Sequence, residues 1–240
     1  MNDQPKTRHQ TRFGISSFIY SARRPFHPGR LNDLVLEEYF VTPDYMDDEE
    51  NGEKVFSEED KQIILKVLQK KAAEKQSRRV GVFGELLRSK GFIWIATSNN
   101  IMGGWQQAGN VIRIEAESPW MCDMEDMWRD NPEVAEYVTK NMTKPNGDEW
   151  EFQDRRQELV FIGQELKHDK IQMILDQCLL TEEEMMLGPE SWKKTMADCD
   201  QIQLSLVDDT IKWTIEEINE DENKAVYGLD PQKLKITSFK

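Results

Sequence analysis

The chain has 240 residues, 38% hydrophobic and 32% charged, which allows a sizeable core in one large domain or two small ones. Its 45 acidic against 31 basic residues give a formal charge of −14, a field that repels phosphate backbones and argues against nucleic acid as a partner. No apolar run approaches the ~20 residues that cross a bilayer, the polar start at Met1 lacks the apolar centre of a secretory signal, and Cys122, Cys178 and Cys199 stand far apart with no CxxC pair; the expectation is a cytoplasmic protein in a reducing compartment.

In chain order, residues 1–12 are polar and aperiodic and read as a tail or linker remnant. Ile15 to Tyr20 is rich in strand formers, and Arg23-Arg24-Pro25-Phe26-His27-Pro28 breaks it. Pro28 suits the first turn of a helix whose apolar face carries Leu31, Leu34, Val35 and Tyr39 and which ends near Phe40. Thr42 to Lys54 holds Pro43, Gly52 and the run Asp47-Asp48-Glu49-Glu50, a composition that predicts a solvated loop. Ser57-Glu58-Glu59-Asp60 has the form of an N-cap with an acidic first turn, and Ile63, Ile64, Val67 and Leu68 make the stripe of a second helix.

Gly91 to Ala96 is apolar at successive positions, which predicts a central strand covered on both faces. Trp105 to Ala108 and Val111 to Ile114 predict neighbouring antiparallel strands, and Met121 to Met142 predicts helix, interrupted by Pro145-Asn146-Gly147. Arg155 to Gly163 begins polar and ends apolar on both faces, the pattern of an interior strand entered from an exposed end. Ile171, Ile174, Leu175 and Cys178 fall at helical spacing, and Thr181-Glu182-Glu183-Glu184 opens a further short helix. Ile202, Leu204 and Leu206, then Ile211, Trp213 and Ile215, alternate around Asp208-Asp209 and predict a hairpin.

Little in this pattern carries catalytic chemistry. A phosphate-binding loop needs glycines followed by a lysine and a hydroxyl at fixed offset; Gly81-Val82-Phe83-Gly84 lacks both and reads as a turn. None of His9, His27 and His168 has a neighbouring ligand at metal-binding spacing, so each reads as a cap or a surface residue, and Cys178 reads as core. No G-x-S-x-G turn supports a nucleophile, and the carboxylates fall in charge runs where solvation suffices as an explanation.

Three blocks recur in order: Gly14 to Phe18 through Arg23-Arg24-Pro25-Phe26-His27-Pro28; Leu87-Arg88-Ser89-Lys90-Gly91-Phe92 through Trp105 to Gly109; and Asp154-Arg155-Arg156-Gln157-Glu158 to Gly163. With Leu175 to Thr181 and Gly188-Pro189-Glu190-Ser191-Trp192, the stretch from Phe13 to Trp192 resembles the carboxy-terminal domain of the CobW family. The resemblance implies an α+β fold, a mostly antiparallel sheet with helices mainly on one face, here with a C-terminal hairpin extension. It divides the chain into the tail 1–12, a domain over 13–196 with an acidic loop and inserted helix at about 41–79, and an extension over 197–240. In the family this domain follows a P-loop GTPase and a histidine-rich linker, and metal is bound at a cysteine motif in the GTPase half. This sequence has no such motif, and Gly29 stands where the family commonly carries an acidic residue.

The implied function is a non-catalytic interaction module of zinc-metallochaperone GTPases, with a separate P-loop GTPase and a client metalloprotein as partners, and with zinc or GTP only through a partner or another domain. Its candidate interaction or structural motif is Arg23, Arg24, His27, Arg88, Lys90, Trp105, Arg155, Arg156 and Glu158. Surface charges usually serve solubility, so the plain alternative pairs these cations with nearby carboxylates and places Trp94, Trp105 and Trp192 in the core. Two other functions stand beside the module: a truncated portion of a full metal-dependent GTPase metallochaperone, and a small metal-binding protein using His27, His168 and acidic side chains.

Overall fold

The computed structural model describes residues 14–42 and 58–204 and, within the helix that starts at Glu58, the side chains of Lys66 and of Gln69 onward. The expected tail, most of the acidic loop, the side chains of the stripe Ile63, Ile64, Val67 and Leu68, and the hairpin beyond Leu204 lie outside what is described. The described chain forms two compact units, one of 14–42, 58–99, 103–115 and 156–203, the other of 100–102, 116–155 and Leu204.

Strand β1, Ile15–Ala22, leads into α1, which runs as Pro28–Leu31, a π-helical turn Asn32–Leu36 and Glu37–Tyr39. Helix α2, Glu58–Phe83, is followed by β2, Glu85–Trp94, then β3, Ile101–Ala108, and β4, Val111–Pro119. Helices α3, Glu125–Trp128, and α4, Pro132–Met142, precede β5, Gln157–Gln164; α5, His168–Asp176, α6, Glu182–Met186, and α7, Pro189–Thr195, complete the order.

The five strands form one sheet in the order β1-β5-β2-β3-β4, and β5 pairs antiparallel with both neighbours, Tyr20 opposite Leu159 and Lys90 opposite Val160. The fold is the expected α+β arrangement. Alternation along β5 assigns the faces: Gln157, Leu159, Phe161 and Gly163 are buried, whereas Ile162 on the opposite face is 38% exposed. Helices cover the buried side. Phe83 at the end of α2 meets Tyr39, Phe40 and Phe161 with ring centroids 5.3, 5.7 and 6.1 Å away, and Trp105 meets Phe40 and Phe161 at 6.2 and 6.5 Å. Each such fully buried side chain contributes about 1.5–3 kcal/mol of apolar transfer.

Two expectations about coverage need correction. The strand Arg155 to Gly163 is apolar on both faces yet fully covered on one, since Val160 is half-buried and Ile162 exposed. Its polar beginning is not an exposed end: Arg155 and Arg156 are 8% and 7% exposed. The consecutive run Ile93, Trp94, Ile95 and Ala96 is fully buried, but the strand ends at Trp94 and the chain enters a 3-10 turn over Ala96–Ser98. The expected coverage holds and the strand is shorter than expected: Trp192 of α7 stands 6.3 Å from Trp94, and Phe26 is hydrogen-bonded to Trp94 and Ala96.

Gly81 and Gly84 occupy different environments. Gly81 lies inside α2 with nothing within 4 Å of an added Cβ, whereas Gly84 ends the helix at φ +78° with an added Cβ 2.2 Å from the Glu165 carbonyl oxygen. The last turn of α2 has no basic residue of its own. Lys167 and Lys170 at the start of α5 supply the missing cations, Lys167 donating to the Val80 and Gly81 carbonyls at 2.9 and 3.1 Å and Lys170 to Gly81 at 3.0 Å.

In the second unit, Pro132 opens α4 and Asn131 caps it, its Oδ1 accepting from the Val134 amide at 3.3 Å. Val134 and Val138 form its buried side.

Candidate interaction surface

The string Arg23 to Pro28 lies between two segments of the first unit and is stitched to both. The Phe26 amide donates to the Trp94 carbonyl at 2.8 Å, the Ala96 amide donates back to Phe26 at 3.0 Å, and the His27 amide donates to Cys178 at 2.8 Å. Gln157 completes this junction from β5. Fully buried, it accepts the Trp94 amide on Oε1 at 2.8 Å and donates through Nε2 to the carbonyls of Arg24 at 3.0 Å and Trp94 at 2.7 Å. A side-chain amide thus replaces ladder partners where the strand runs out.

The candidate cations separate into held and unheld groups. Arg24 pairs with Glu182 and donates to the Leu180 carbonyl at 3.0 Å. Arg156 pairs with Glu158 at 3.0 Å and lies over the Phe92 ring at 4.8 Å. In the second unit, Arg155 donates to Cys122 Sγ at 2.7 Å and pairs with Asp123 at 2.5 Å, while the Asp154 carboxylate accepts the amides of Met121 and Cys122 at 3.1 and 3.2 Å. Burial pushes the Cys122 thiol well above its usual range, with Asp154 adding to the effect. Arg23 is half-buried and also engaged.

His27 caps α1, its Nδ1 accepting from the Arg30 amide at 3.2 Å. Arg30, which the sequence reading did not single out, faces Glu184 with Nη1 on Oε1 at 2.9 Å and Nη2 on Oε2 at 2.6 Å, and also donates to the Leu179 carbonyl at 2.9 Å. Hydrogen bonding from Arg30, with the Thr181 amide helping, holds the Glu184 carboxyl down at about 2 against the opposing effect of burial. Burial and the Arg30 charge push His27 below its ordinary value. Gly29 is closely packed: an added Cβ would stand 3.0 Å from Cys199 Cβ and 3.4 Å from His27 Cε1. A hollow of about 750 Å³ opens beside it along the π turn, lined in part by Asn32, Asp33, Asp198 and Cys199. Among the described residues no three His, Cys, Asp or Glu side chains converge to hold a metal ion. His168 instead stacks on Phe18 at 4.8 Å, and Cys178 is buried in the core, its thiol raised to about 12.

Trp105 is core: its Nε1 donates to Ser89 Oγ at 2.8 Å, and Ser89 donates to Gln107 Oε1 at 3.0 Å, all three side chains buried. Arg88 and Lys90 stand on the opposite side of β2, in mid-strand, and both are exposed. Arg113 of β4 joins them around one shallow groove. None of these three side chains has a hydrogen-bond or ion-pair partner among the described residues. A register shift between Leu86 and Arg88 sets up this geometry, because a bulge breaks alternation and turns Leu87 and Arg88 outward together. Arg113 was legible as the exposed partner of the buried Ile112 in the alternating run from Val111; nothing in the sequence signalled the bulge.

The family model described as the cobalamin synthesis protein cobW C-terminal domain matches residues 58–179. The zinc-regulated GTPase metalloprotein activator 1 of Dictyostelium discoideum is 33% identical over 193 residues, which cover 80% of this chain and 30% of that protein. This chain therefore spans under a third of that relative's length. Among solved structures, the Zn(II)-bound YjiA GTPase from E. coli aligns at 13% identity and a TM-score of 0.32, over 75% of this chain and 35% of that one. A Zn(II)-bound triple mutant of the same GTPase aligns with the same values.

Proposed function

Because the chain belongs to the CobW C-terminal domain family, we propose that it is a protein-interaction module of a zinc-metallochaperone GTPase system. It docks a P-loop GTPase, carried in the same polypeptide or a separate one, and through it takes part in delivering metal to client metalloproteins. The module contributes neither the nucleotide site nor the metal site.

The observation that carries this reading is the likeness to a relative named as a zinc-regulated GTPase metalloprotein activator. The distribution of polar groups supports the non-catalytic part. Arg24, Arg155 and Arg156 are tied into ion pairs and His27 into a helix cap, which are structural uses. Of the exposed cations, Arg88, Lys90 and Arg113 stand together without partners among the described residues on one face of the sheet, where a docking surface needs them.

The test is affinity capture from native extract on the purified chain, with and without GTP and zinc. Recovery of a P-loop GTPase, changed by nucleotide or zinc, is the expected result. Recovery of neither a GTPase nor a metalloprotein under any condition overturns it.

A further inference from the structure

The uncovered sheet face carries a groove of about 270 Å³ between Arg88 and Lys90 of β2, Gln106 and Ala108 of β3, and Val111 and Arg113 of β4. With strands spaced 4.7–4.9 Å apart, Arg113 stands roughly 10 Å across the sheet from the β2 cations. The floor between them, Gln106 and Ala108, is uncharged, so the cations form two banks. Apolar side chains continue the same face: Leu87 is 49% exposed, Val111 44%, Ile162 38% and Ile19 54%. Ile162 lies directly opposite Arg88 in the β2–β5 register.

The charge balance sets this site apart. A chain with a net charge of −14 has carboxylates to spare, yet Arg88, Lys90 and Arg113 have no partner among the described residues. The acidic groups on the same face lie away from the groove or are taken. Glu158 is held by Arg156, Glu85 begins β2, and Glu115 and Glu117 continue β4 beyond Arg113. The bulge at Leu86 and Arg88 presents an apolar and a cationic side chain side by side.

We propose that this groove binds an acidic, extended segment of a protein partner, its carboxylates on Arg88, Lys90 and Arg113 and its apolar side chains against Leu87, Val111 and Ile162. The proposal rests on the docking reading above and names the chemistry the docked partner presents. Exposed ion pairs add little affinity each, so the cations select the partner while the apolar side chains hold it. A protein segment fits better than a polyanion, because the exposed apolar side chains of Leu87, Val111 and Ile162 beside the cations have no counterpart in an array of phosphates.

The experiment uses the full chain and a fluorescein-labelled peptide of alternating Glu and Leu, with Gln-Leu and Lys-Leu controls, read by fluorescence anisotropy at low and high salt. The Glu-Leu peptide binds, loses affinity with salt, and is weakened on the order of tenfold by the combined variant R88E, K90E and R113E. The milder R88Q, K90Q and R113Q variant gives a smaller loss; both keep the wild-type melting temperature, since the side chains support no described contact. Equal binding of the Gln-Leu and Glu-Leu peptides, unchanged binding by the charge-reversed chain, or equally strong binding of a single-stranded oligonucleotide overturns the proposal. If the extract still yields a GTPase while the peptide fails, the groove assignment alone falls. If the peptide binds but neither a GTPase nor a metalloprotein is captured, the groove stands and the module reading falls.

Discussion

Arg30 and Glu184 join α1 to α6 through two parallel hydrogen bonds across 154 residues of sequence. The guanidinium and carboxylate keep 29% and 24% of their side-chain surface exposed, so the pair is worth less than a fully buried one. Glu184→Ala lowers the unfolding free energy by about 2 kcal/mol, because it also removes the acceptor of the Thr181 amide. Glu184→Gln keeps one acceptor and costs less. Urea denaturation of the two variants gives this order; equal stability of both with wild type removes the pair from the account.

Acid sensitivity follows from the same cluster. His27 has its pKa lowered in the fold, so the unfolded chain takes up the proton first and stability declines as pH falls below about 6.5, the ordinary histidine value. Glu184 is also lowered, to about 2; its contribution is complete above the ordinary carboxylate value of about 4.3 and is lost as pH falls towards 2. His27→Asn keeps an N-cap acceptor while removing the titration. Melting temperatures of this variant stay flat from neutral pH to about 5, where the wild-type curve already bends; an unchanged bend assigns it to other groups.

The two glycines near the end of α2 respond with opposite sign. Gly81→Ala, in open space within the helix, stabilises by about 0.5–1 kcal/mol by restricting the unfolded chain. Gly84→Ala forces a Cβ onto the Glu165 carbonyl at a left-handed φ and destabilises by about 2 kcal/mol or more. Thermal melts of the pair measure the difference directly, and a shift of the same sign for both contradicts the assignment of the helix end.

Gln157→Leu conserves approximate volume but strands the Trp94 amide and the Arg24 carbonyl at a buried junction, while the Trp94 carbonyl keeps the Phe26 amide. The expected loss is about 3 kcal/mol. Gln157→Ala admits water and loses no more than that despite the larger deletion, an ordering that calorimetry tests.

How much of this was legible in the sequence depends on whether the signal was local. The cap at His27, the capping box of Thr181 and Glu184, and the strands at Ile15 and Val111 were readable because short-range spacing dictates them. The resemblance carried the order of elements. The placement of Arg88 and Lys90 in mid-strand was not readable, since the bulge that exposes them depends on β5. The burial of Arg155 and Arg156 was likewise hidden, because Asp123 and Glu158 must come to them before charged side chains can leave solvent. Gln157 looked like an ordinary polar residue entering a strand; its role exists only once Arg24 and Trp94 are side by side.

The strand order β1-β5-β2 also fixes a sequence of events. The strand that separates β1 from β2 is the last of the five to leave the ribosome, at Gln157–Gln164. Until then Ile15–Ala22 has lost no freedom to a partner, and the backbone groups of Glu85–Trp94 that will meet β5 stay open. Strands β2, β3 and β4 can pair in turn as the chain emerges, but the sheet closes only when β5 arrives between two waiting edges. A nascent chain stalled short of residue 157 is sticky in the way unpaired edges are, and full-length folding is slow for the loop it must first close.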